Sequence, residues 1–100
     1  MRIIAKSTLR RFWESSAQYF EAKAPIEAWY AEAKNAKWQT PHDIKKQFRS
    51  VSILKNSRVV FNIGGNKYRL IIAIDYYRQT IFIRFIGTHQ QYNKINAEVI

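Results

Sequence analysis

Cysteine is absent from this 100-residue sequence, and carboxylates are scarce in its C-terminal half. Without cysteine there is no disulfide framework, no thiolate zinc site and no thiol nucleophile. Two-metal catalysis needs several carboxylates that converge on divalent ions, and residues 51–100 offer only Asp75 and Glu98. The sequence therefore excludes thiol chemistry, and we expect neither a metal site nor another cofactor.

Long hydrophobic runs are also absent. The longest apolar stretch, Leu70–Ile74, is far too short to span a bilayer. Near the N-terminus, Lys6 interrupts the only apolar segment, so we expect no secretory signal. The hydrophobic content of 47% still suffices for a core, and we predict that residues 1–100 form a single cytoplasmic domain without a membrane contact.

Basic residues outnumber acidic residues by 17 to 7, which gives a formal net charge of +10. The C-terminal half holds only two acidic residues beside seven basic ones, so few carboxylates are available there to offset the cations. A field of this kind attracts polyanions, and nucleic acid is the commonest of them. The alternatives are a basic domain with no such partner and a domain that binds an acidic protein.

The residue pattern changes from helical periodicity to strand alternation near residue 50, without a Gly/Ser linker, which predicts two layers of one domain. The first half predicts a strand over residues 2–5 and a helix capped by Ser7 or Thr8 that ends before Pro25. Two further helices follow, one with Pro25 in its first turn and one from Thr40 to about Phe48. The second half predicts strands over residues 51–54, 58–63, 67–74 and 80–86.

A hairpin with a two-residue turn at Gly64-Gly65 is predicted within the sheet. This turn sets a register with Asn62 opposite Lys67, and Val60 opposite Arg69. One face then holds an apolar set that must pack on the helices: Val59, Phe61, Ile63, Tyr68, Leu70 and Ile72. The other face holds a polar set suited to binding RNA: Arg58, Asn62, Lys67 and Arg69. We expect residues 96–100 to fray.

Two arginines interrupt the apolar strands, Arg69 at the start of one and Arg84 in the middle of another. Each side chain either reaches solvent or a carboxylate, or binds a phosphate group. The shortage of acidic residues favours phosphate. With a four-residue turn after Asp75, Arg84 faces Ile71 and shares the face of Arg69, whereas a slip of one residue buries it.

Cleavage of RNA without a metal ion requires attack by the substrate's own 2′-hydroxyl, with a base, an acid and cations that stabilise the phosphorane. His89 and Tyr92, which follow the last strand, are suitable groups beside the cations already named. A histidine in a loop is alternatively a structural residue. His42, which lies within a helix start, is interpreted in that way.

The segments Arg58–Ile63, Asn66–Leu70 and above all Ile83–Tyr92, with its pattern Arg-Phe-Ile-Gly-Thr-His-x-x-Tyr, resemble those of HigB-type toxins in the RelE-like superfamily. The opening Met1–Ile4 and the helical segment Ala28–Tyr30 are similar as well. The resemblance spans nearly the whole chain. It implies an α+β fold with N-terminal helices packed on one face of a mostly antiparallel twisted sheet. It also implies that the protein is an endoribonuclease that cleaves mRNA on the ribosome.

The same resemblance implies roles for individual residues. Arg69 matches the basic residue that handles the scissile phosphate, and Lys67 occupies a phosphate-contacting position. Arg84 and His89 match the Arg-x-x-x-Thr-His positions, and Tyr92 matches the tyrosine after them. His89 is interpreted as a general acid or base, or alternatively as a positioning residue, and Tyr92 alternatively stacks on a nucleobase.

The partners implied by the resemblance are a cognate antitoxin of the HigA-like helix-turn-helix class and the ribosome with its mRNA. Operator DNA would be reached only through the antitoxin complex. Two other functions stay open from the sequence. One is a non-catalytic RNA-binding module, and the other is a transcriptional corepressor that acts while bound to the antitoxin.

Overall fold

Three α-helices occupy the N-terminal half of the chain, and four of the five strands occupy the C-terminal half. The computed structural model describes residues 1–100. Its elements are β1 (Arg2–Ile4), α1 (Lys6–Glu14), a 3₁₀ helix (Ala17–Ala22), α2 (Lys23–Asn35), α3 (Pro41–Gln47), β2 (Ser52–Ile53), β3 (Arg58–Ile63), β4 (Tyr68–Asp75), β5 (Thr80–Thr88) and α4 (His89–Tyr92). None of the helices has the length and apolar character needed to cross a membrane.

The strands form one sheet in the order β1-β5-β4-β3-β2. Strand β1 runs parallel to β5, and all other neighbours are antiparallel. The expected α+β class with a mostly antiparallel sheet is therefore confirmed.

The first helix is shorter than the sequence predicts. One continuous helix is expected up to Pro25, but α1 ends at Glu14 and the 3₁₀ helix follows. The Ser15 hydroxyl donates to the Phe12 carbonyl at 2.6 Å, and Ser16 is extended, with φ −159° and ψ 146°. Two consecutive serines thus offer the backbone an alternative to the helical ladder. Pro25 lies in the first turn of α2, as predicted.

The predicted helix caps are correct for α3 and wrong for α1. Neither Ser7 nor Thr8 caps α1, because Ala5, in the left-handed conformation with φ 71°, precedes the helix without a side-chain cap. At α3 the Thr40 hydroxyl accepts a hydrogen bond from the Asp43 backbone N–H at 3.3 Å, as expected of an N-cap.

The helices pack on the sheet face that the alternation marks as apolar. Phe61 is the centre of an aromatic cluster, and its ring centroid lies 5.3 Å from that of Trp29, 6.1 Å from Trp38 and 5.1 Å from Phe48. All six residues predicted for this face are buried in the same core: Val59, Phe61, Ile63, Tyr68, Leu70 and Ile72. The core therefore lies between the helices and this face of the sheet, and the opposite face, called here the second face, carries Arg69.

The turn between β3 and β4 has four residues rather than two. Gly64 and Gly65 have positive φ, 62° and 69°, but the Lys67 N–H donates to the Gly64 carbonyl at 3.4 Å and closes a longer loop. The predicted register is therefore wrong by two residues, and Asn62 lies opposite Arg69. Lys67 lies in the turn, not in β4. A shift of two keeps the strand side chains on their predicted faces.

Strand β5 contains a β-bulge at Arg84. The turn after Asp75 has four residues, as predicted. Further along the ladder, however, Ile71 pairs with Phe85 and not with Arg84, so the predicted pair is wrong and Arg84 is an extra residue in β5. The bulge moves all later residues of β5 to the face opposite the one that simple alternation assigns.

The C-terminal residues pack on the second face of the sheet. Ala97 is 7% exposed and contacts Val60 and Ile71 in a small apolar cluster. Arg58 donates from Nε and Nη2 to the Ile100 carbonyl at 3.0 and 2.7 Å. The expectation that residues 96–100 fray is wrong, because the apolar side chains on this face need a cover.

Arg58→Ala is expected to lower the free energy of unfolding by about 1–2 kcal/mol, because it removes both hydrogen bonds to the Ile100 carbonyl. Urea unfolding measures the change, and hydrogen exchange of residues 97–100 should accelerate. Lys55→Ala, at an exposed position three residues away, is the control. Unchanged stability and exchange in Arg58→Ala would contradict this role.

Candidate nucleic-acid interface

Three strands place one row of residues at an end of the second face. Arg69 on β4 lies between Asn62 on β3 and Gly87 on β5. A Cβ atom at Gly87 would lie 2.6 Å from Phe85 Cζ and 2.6 Å from Gln91 Oε1. The glycine opposite Arg69 therefore lets the Phe85 ring and the Gln91 amide lie directly against the β5 backbone.

The Arg69 guanidinium is half-buried and has no carboxylate partner. Its Nη1 donates to the carbonyls of Asn66 and Tyr68 at 3.0 and 3.2 Å. These two hydrogen bonds orient the side chain along the β3–β4 turn, but neutral carbonyls leave its charge uncompensated. A phosphate group is the natural counter-charge for such a guanidinium.

Arg84 projects from the bulge on the same face as Arg69. Its guanidinium carbon lies 5.8 Å from the centroid of the Phe82 ring, and Phe82 pairs with Ala73 on that face. The side chain is exposed and makes no ion pair. The expectation that Arg84 shares a face with Arg69 is correct, although the route through the bulge differs from the predicted pairing.

His89 begins α4 directly after β5. Thr88 caps the helix, since its hydroxyl accepts from the Gln91 N–H at 3.1 Å while Gln91 Oε1 accepts from the Thr88 N–H at 2.8 Å. The His89 N–H donates to the Lys67 carbonyl at 3.1 Å and extends the β4–β5 ladder. Its ring Nδ1 lies 3.1 Å from Asn93 Nδ2, so Asn93 orients an otherwise exposed imidazole.

An ion pair between Lys67 and Glu21 lies next to His89. Lys67 Nζ donates to Glu21 Oε1 at 3.0 Å, and the Tyr68 hydroxyl donates to the same oxygen at 2.9 Å. The hydrogen bond from Lys67, and to a smaller extent that from Tyr68, lowers the pKa of Glu21. Burial, and to a smaller extent the hydrogen bond to Glu21, raises the pKa of Tyr68. The three residues and His89 line a cleft of about 420 Å³.

Five of the seven site residues predicted from the sequence lie at the end of the sheet where β4 begins and β5 ends. They are Asn62, Lys67, Arg69, His89 and Tyr92. Tyr92 is half-buried against the apolar cluster of the second face. Arg84 lies nearer the middle of β5. Arg58 lies at the other end of β3, where it binds the C-terminal residues.

Sequence reasoning missed Glu21 and Gly87. Glu21 is 46 residues from Lys67, and no local pattern connects the two. Arg69 and Arg84 make no ion pair with an acidic residue, whereas Lys67, for which the sequence analysis made no such prediction, pairs with Glu21. Gly87 lies within the segment Ile83–Tyr92, but its pairing with Arg69 depends on the bulge.

This surface combines free guanidinium groups with an exposed imidazole. No group of three or more His, Cys, Asp or Glu side chains lies together in the structure. Arginines of this kind can bind a phosphodiester and stabilise negative charge that develops on it, and an imidazole can exchange a proton near neutral pH.

Lys67→Met should raise the pKa of Glu21 towards its ordinary value, because it removes the Lys67 hydrogen bond, the largest cause of the lowering. The pKa is lower in the folded protein than in the unfolded chain. The contribution of Glu21 to the stability of the fold is therefore present above the pKa of the unfolded chain, and it is lost as pH falls through the pKa of the folded protein. An NMR titration of the Glu21 carboxyl carbon measures the shift, with Lys94→Met as control. Equal titration midpoints in all three proteins would exclude this ion pair in solution.

Gly87→Ala is expected to destabilise the fold by about 1–3 kcal/mol, because the new Cβ collides with Phe85 and with the Gln91 amide of the α4 cap. Phe85→Leu in the same chain should restore part of the loss if the ring collision is the cause. Thermal unfolding measures both proteins. A stability of Gly87→Ala equal to that of the parent would contradict the packing described here.

Comparison with known proteins agrees with these features. Residues 22–95 match the HigB toxin family, described as the RelE-like toxic component of a toxin–antitoxin system. The mRNA interferase HigB of Escherichia coli O6:H1 strain CFT073 is 27% identical over 97 residues, which cover 95% of this chain and 91% of that protein. The mRNA interferase toxin HigB of Escherichia coli K12 and the mRNA interferase HigB of Shigella flexneri are each 25% identical over 99 residues, which cover 97% of this chain and 92% of theirs. The chain therefore belongs to the HigB toxin family, the RelE-like toxic components of toxin–antitoxin systems.

Proposed function

We propose that residues 1–100 act as one toxin domain that cleaves mRNA on the ribosome, in the cytoplasm, by attack of the substrate's own 2′-hydroxyl. The observation that carries this proposal is the position of Arg69, without a carboxylate partner, at the same end of the sheet as His89. The similar Escherichia coli proteins are named mRNA interferases, which supports mRNA as the substrate.

Arg69 stabilises the negative charge that develops on the phosphorane. Its guanidinium is held by two carbonyls, so it needs little reorganisation when the scissile phosphate arrives. Arg84, on the same face, binds a neighbouring phosphate or a second phosphorane oxygen. A contact to the phosphorane itself is strongest when the phosphate carries its extra charge, which is the condition for a gain in rate and not only in affinity.

His89 transfers a proton during cleavage. The 2′-oxygen forms a bond to phosphorus and loses its proton to a base, and the 5′-oxygen leaves and takes a proton from an acid. His89 serves in one of these steps through Nε2. For Nε2 to take a proton, Nδ1 must carry one, so the Asn93 amide turns its oxygen towards Nδ1–H. Tyr92 is the second candidate for proton transfer, or alternatively a platform on which a nucleobase stacks.

Asn62 and Lys67 bind the RNA next to the scissile bond. Asn62 lies directly opposite Arg69, and its amide suits a sugar hydroxyl or a base edge. Lys67 exchanges Glu21 for a phosphate when RNA enters the cleft. Arg58 is committed to the Ile100 carbonyl, and we assign it to stability rather than to RNA binding.

The partner that inhibits the toxin is a HigA-like helix-turn-helix antitoxin, and operator DNA is reached only through the complex of the two proteins. An acidic segment of the antitoxin suits the excess of positive charge on this chain. Such a segment would cover the face that carries Arg69 and Arg84 or obstruct its entry into the ribosome.

Arg69→Ala is expected to slow cleavage by several hundred-fold, about 3–4 kcal/mol, because the lost group stabilises charge that appears only in the transition state. His89→Gln should cause a similar or larger loss and remove one limb of the pH–rate profile if His89 transfers a proton. Single-turnover cleavage of mRNA on programmed ribosomes measures both, and circular dichroism verifies folding.

The control is Arg49→Ala, which removes an exposed arginine outside this surface. A small loss with an unchanged pH profile in His89→Gln would assign His89 to positioning. Normal rates in both site variants would refute the proposed active site. If the unmodified protein binds RNA but does not cleave it, the result would favour a non-catalytic RNA-binding module. If it is not toxic but represses transcription while bound to the antitoxin, the result would favour a corepressor.

A further inference from the structure

A second cleft lies at the other end of the sheet from Arg69. Its volume is about 790 Å³. Its principal lining residues are Arg2, Lys34, Lys37, Tyr76, Tyr77 and Gln79. Arg69 is the second residue of β4, and the cleft lies beyond Asp75, the last residue of that strand. At a rise of about 3.3 Å per residue, Arg69 and the cleft are roughly 20 Å apart. We call this feature the distal cleft.

Three cationic side chains line the distal cleft and make no ion pair, and the Asp43 carboxylate accepts a hydrogen bond from the backbone of one lining residue, Gln39. Arg2, Lys34 and Lys37 are exposed, and none of the residues that line the cleft is acidic. The three ion pairs of the molecule involve other residues. An anionic ligand would therefore meet three cations that form no ion pair with a carboxylate.

The C-terminal end of a helix usually repels an anion, because the helix dipole is negative there. At the end of α2 this negative charge is offset. The amino group of Met1 donates to the carbonyls of Lys34 and Ala36 at 2.6 and 3.0 Å. These carbonyls belong to the last turn of α2 and to the residue after it. A cationic group thus covers the negative end of the helix dipole at the wall of the distal cleft.

Tyr77 offers an aromatic surface beside these cations. Its side chain is 95% exposed at the tip of the β4–β5 turn. The turn itself is held in place, because Gln79 Nε2 donates to the carbonyls of Trp38 and Tyr76 at 2.7 and 2.8 Å. An exposed ring on a fixed turn, next to several cations, has the composition of a site for single-stranded nucleic acid.

We infer that the distal cleft is a second RNA-binding site, in which Arg2, Lys34 and Lys37 bind the phosphates of one strand and Tyr77 stacks on a base. This inference deepens the proposed function, since the cleft is too far from Arg69 to take the scissile nucleotides. The RNA that it takes is a separate single-stranded or looped segment, of the kind that ribosomal RNA presents. An acidic protein segment would satisfy the cations, but it would leave the exposed ring without a partner.

The test measures equilibrium binding of a fluorescein-labelled single-stranded RNA of about 12 nucleotides to the full chain by fluorescence anisotropy at several salt concentrations. Tyr77→Ala should weaken binding at least about fivefold through the lost stacking. Lys34→Gln/Lys37→Gln should reduce the slope of log K against log salt by about 1.4, the value for two lost phosphate contacts on a single strand. All the proteins compared, the control included, also carry Arg69→Ala, so that RNA bound at the other site does not mask the losses.

The matched control is Lys45→Gln/Lys46→Gln, which removes the same charge from exposed positions on α3. Cleft variants that bind the RNA as tightly as this control would overturn the inference. So would loss of antitoxin binding with RNA affinity retained, which would identify a protein-docking surface. Affinity is measured without cleavage, so failure of the proposed ribonuclease function would leave these results unchanged.

Discussion

The extra residue at Arg84 decides which part of β5 shares a face with Arg69. The core-facing residues Ile81 and Ile83 follow the two-residue spacing of a strand, but the next one, Ile86, comes three residues later. A β-bulge accommodates this change of spacing and keeps all three isoleucines in the core. Without it, the later part of β5 would turn over, a glycine would no longer lie opposite Arg69, and α4 would start from the wrong side of the sheet.

The second face of the sheet is divided between structure and ligand binding. At one end the C-terminal residues cover Val60 and Ile71, and Arg58 holds them in place. At the other end Arg69 lies opposite Gly87 and close to the start of α4. Apolar burial and cationic binding thus occur on the same strands, since the tail covers the hydrophobic positions and leaves the guanidinium half-exposed.

Residue spacing predicted a helical first half, the strands of the second half and both faces of the hairpin, because these depend on local spacing. The α+β fold class came from the resemblance to HigB-type toxins. The same spacing did not predict the register between β3 and β4, because Gly64 and Gly65 suit turns of more than one length. The grouping of Arg69 with the start of α4 came from the resemblance, because it depends on the bulged register between β4 and β5. The ion pair of Glu21 and Lys67 was not predicted, because it joins the 3₁₀ helix to a turn 46 residues away. The packing of the C-terminal residues was missed because their apolar side chains carry no strand or helix period.

The proposed mechanism is cleavage by the substrate's own 2′-hydroxyl, with Arg69 and His89 at the scissile phosphate. The chemistry of the RNA ends produced on the ribosome tests this claim most directly. Mass spectrometry of the two fragments should find a 2′,3′-cyclic phosphate or its hydrolysis product on the upstream fragment and a 5′-hydroxyl on the downstream one. A single 2′-deoxynucleotide at the cleaved position should abolish the reaction. A 5′-phosphate paired with a 3′-hydroxyl, or cleavage at a deoxynucleotide, would mean that water or another nucleophile attacks and would contradict the account.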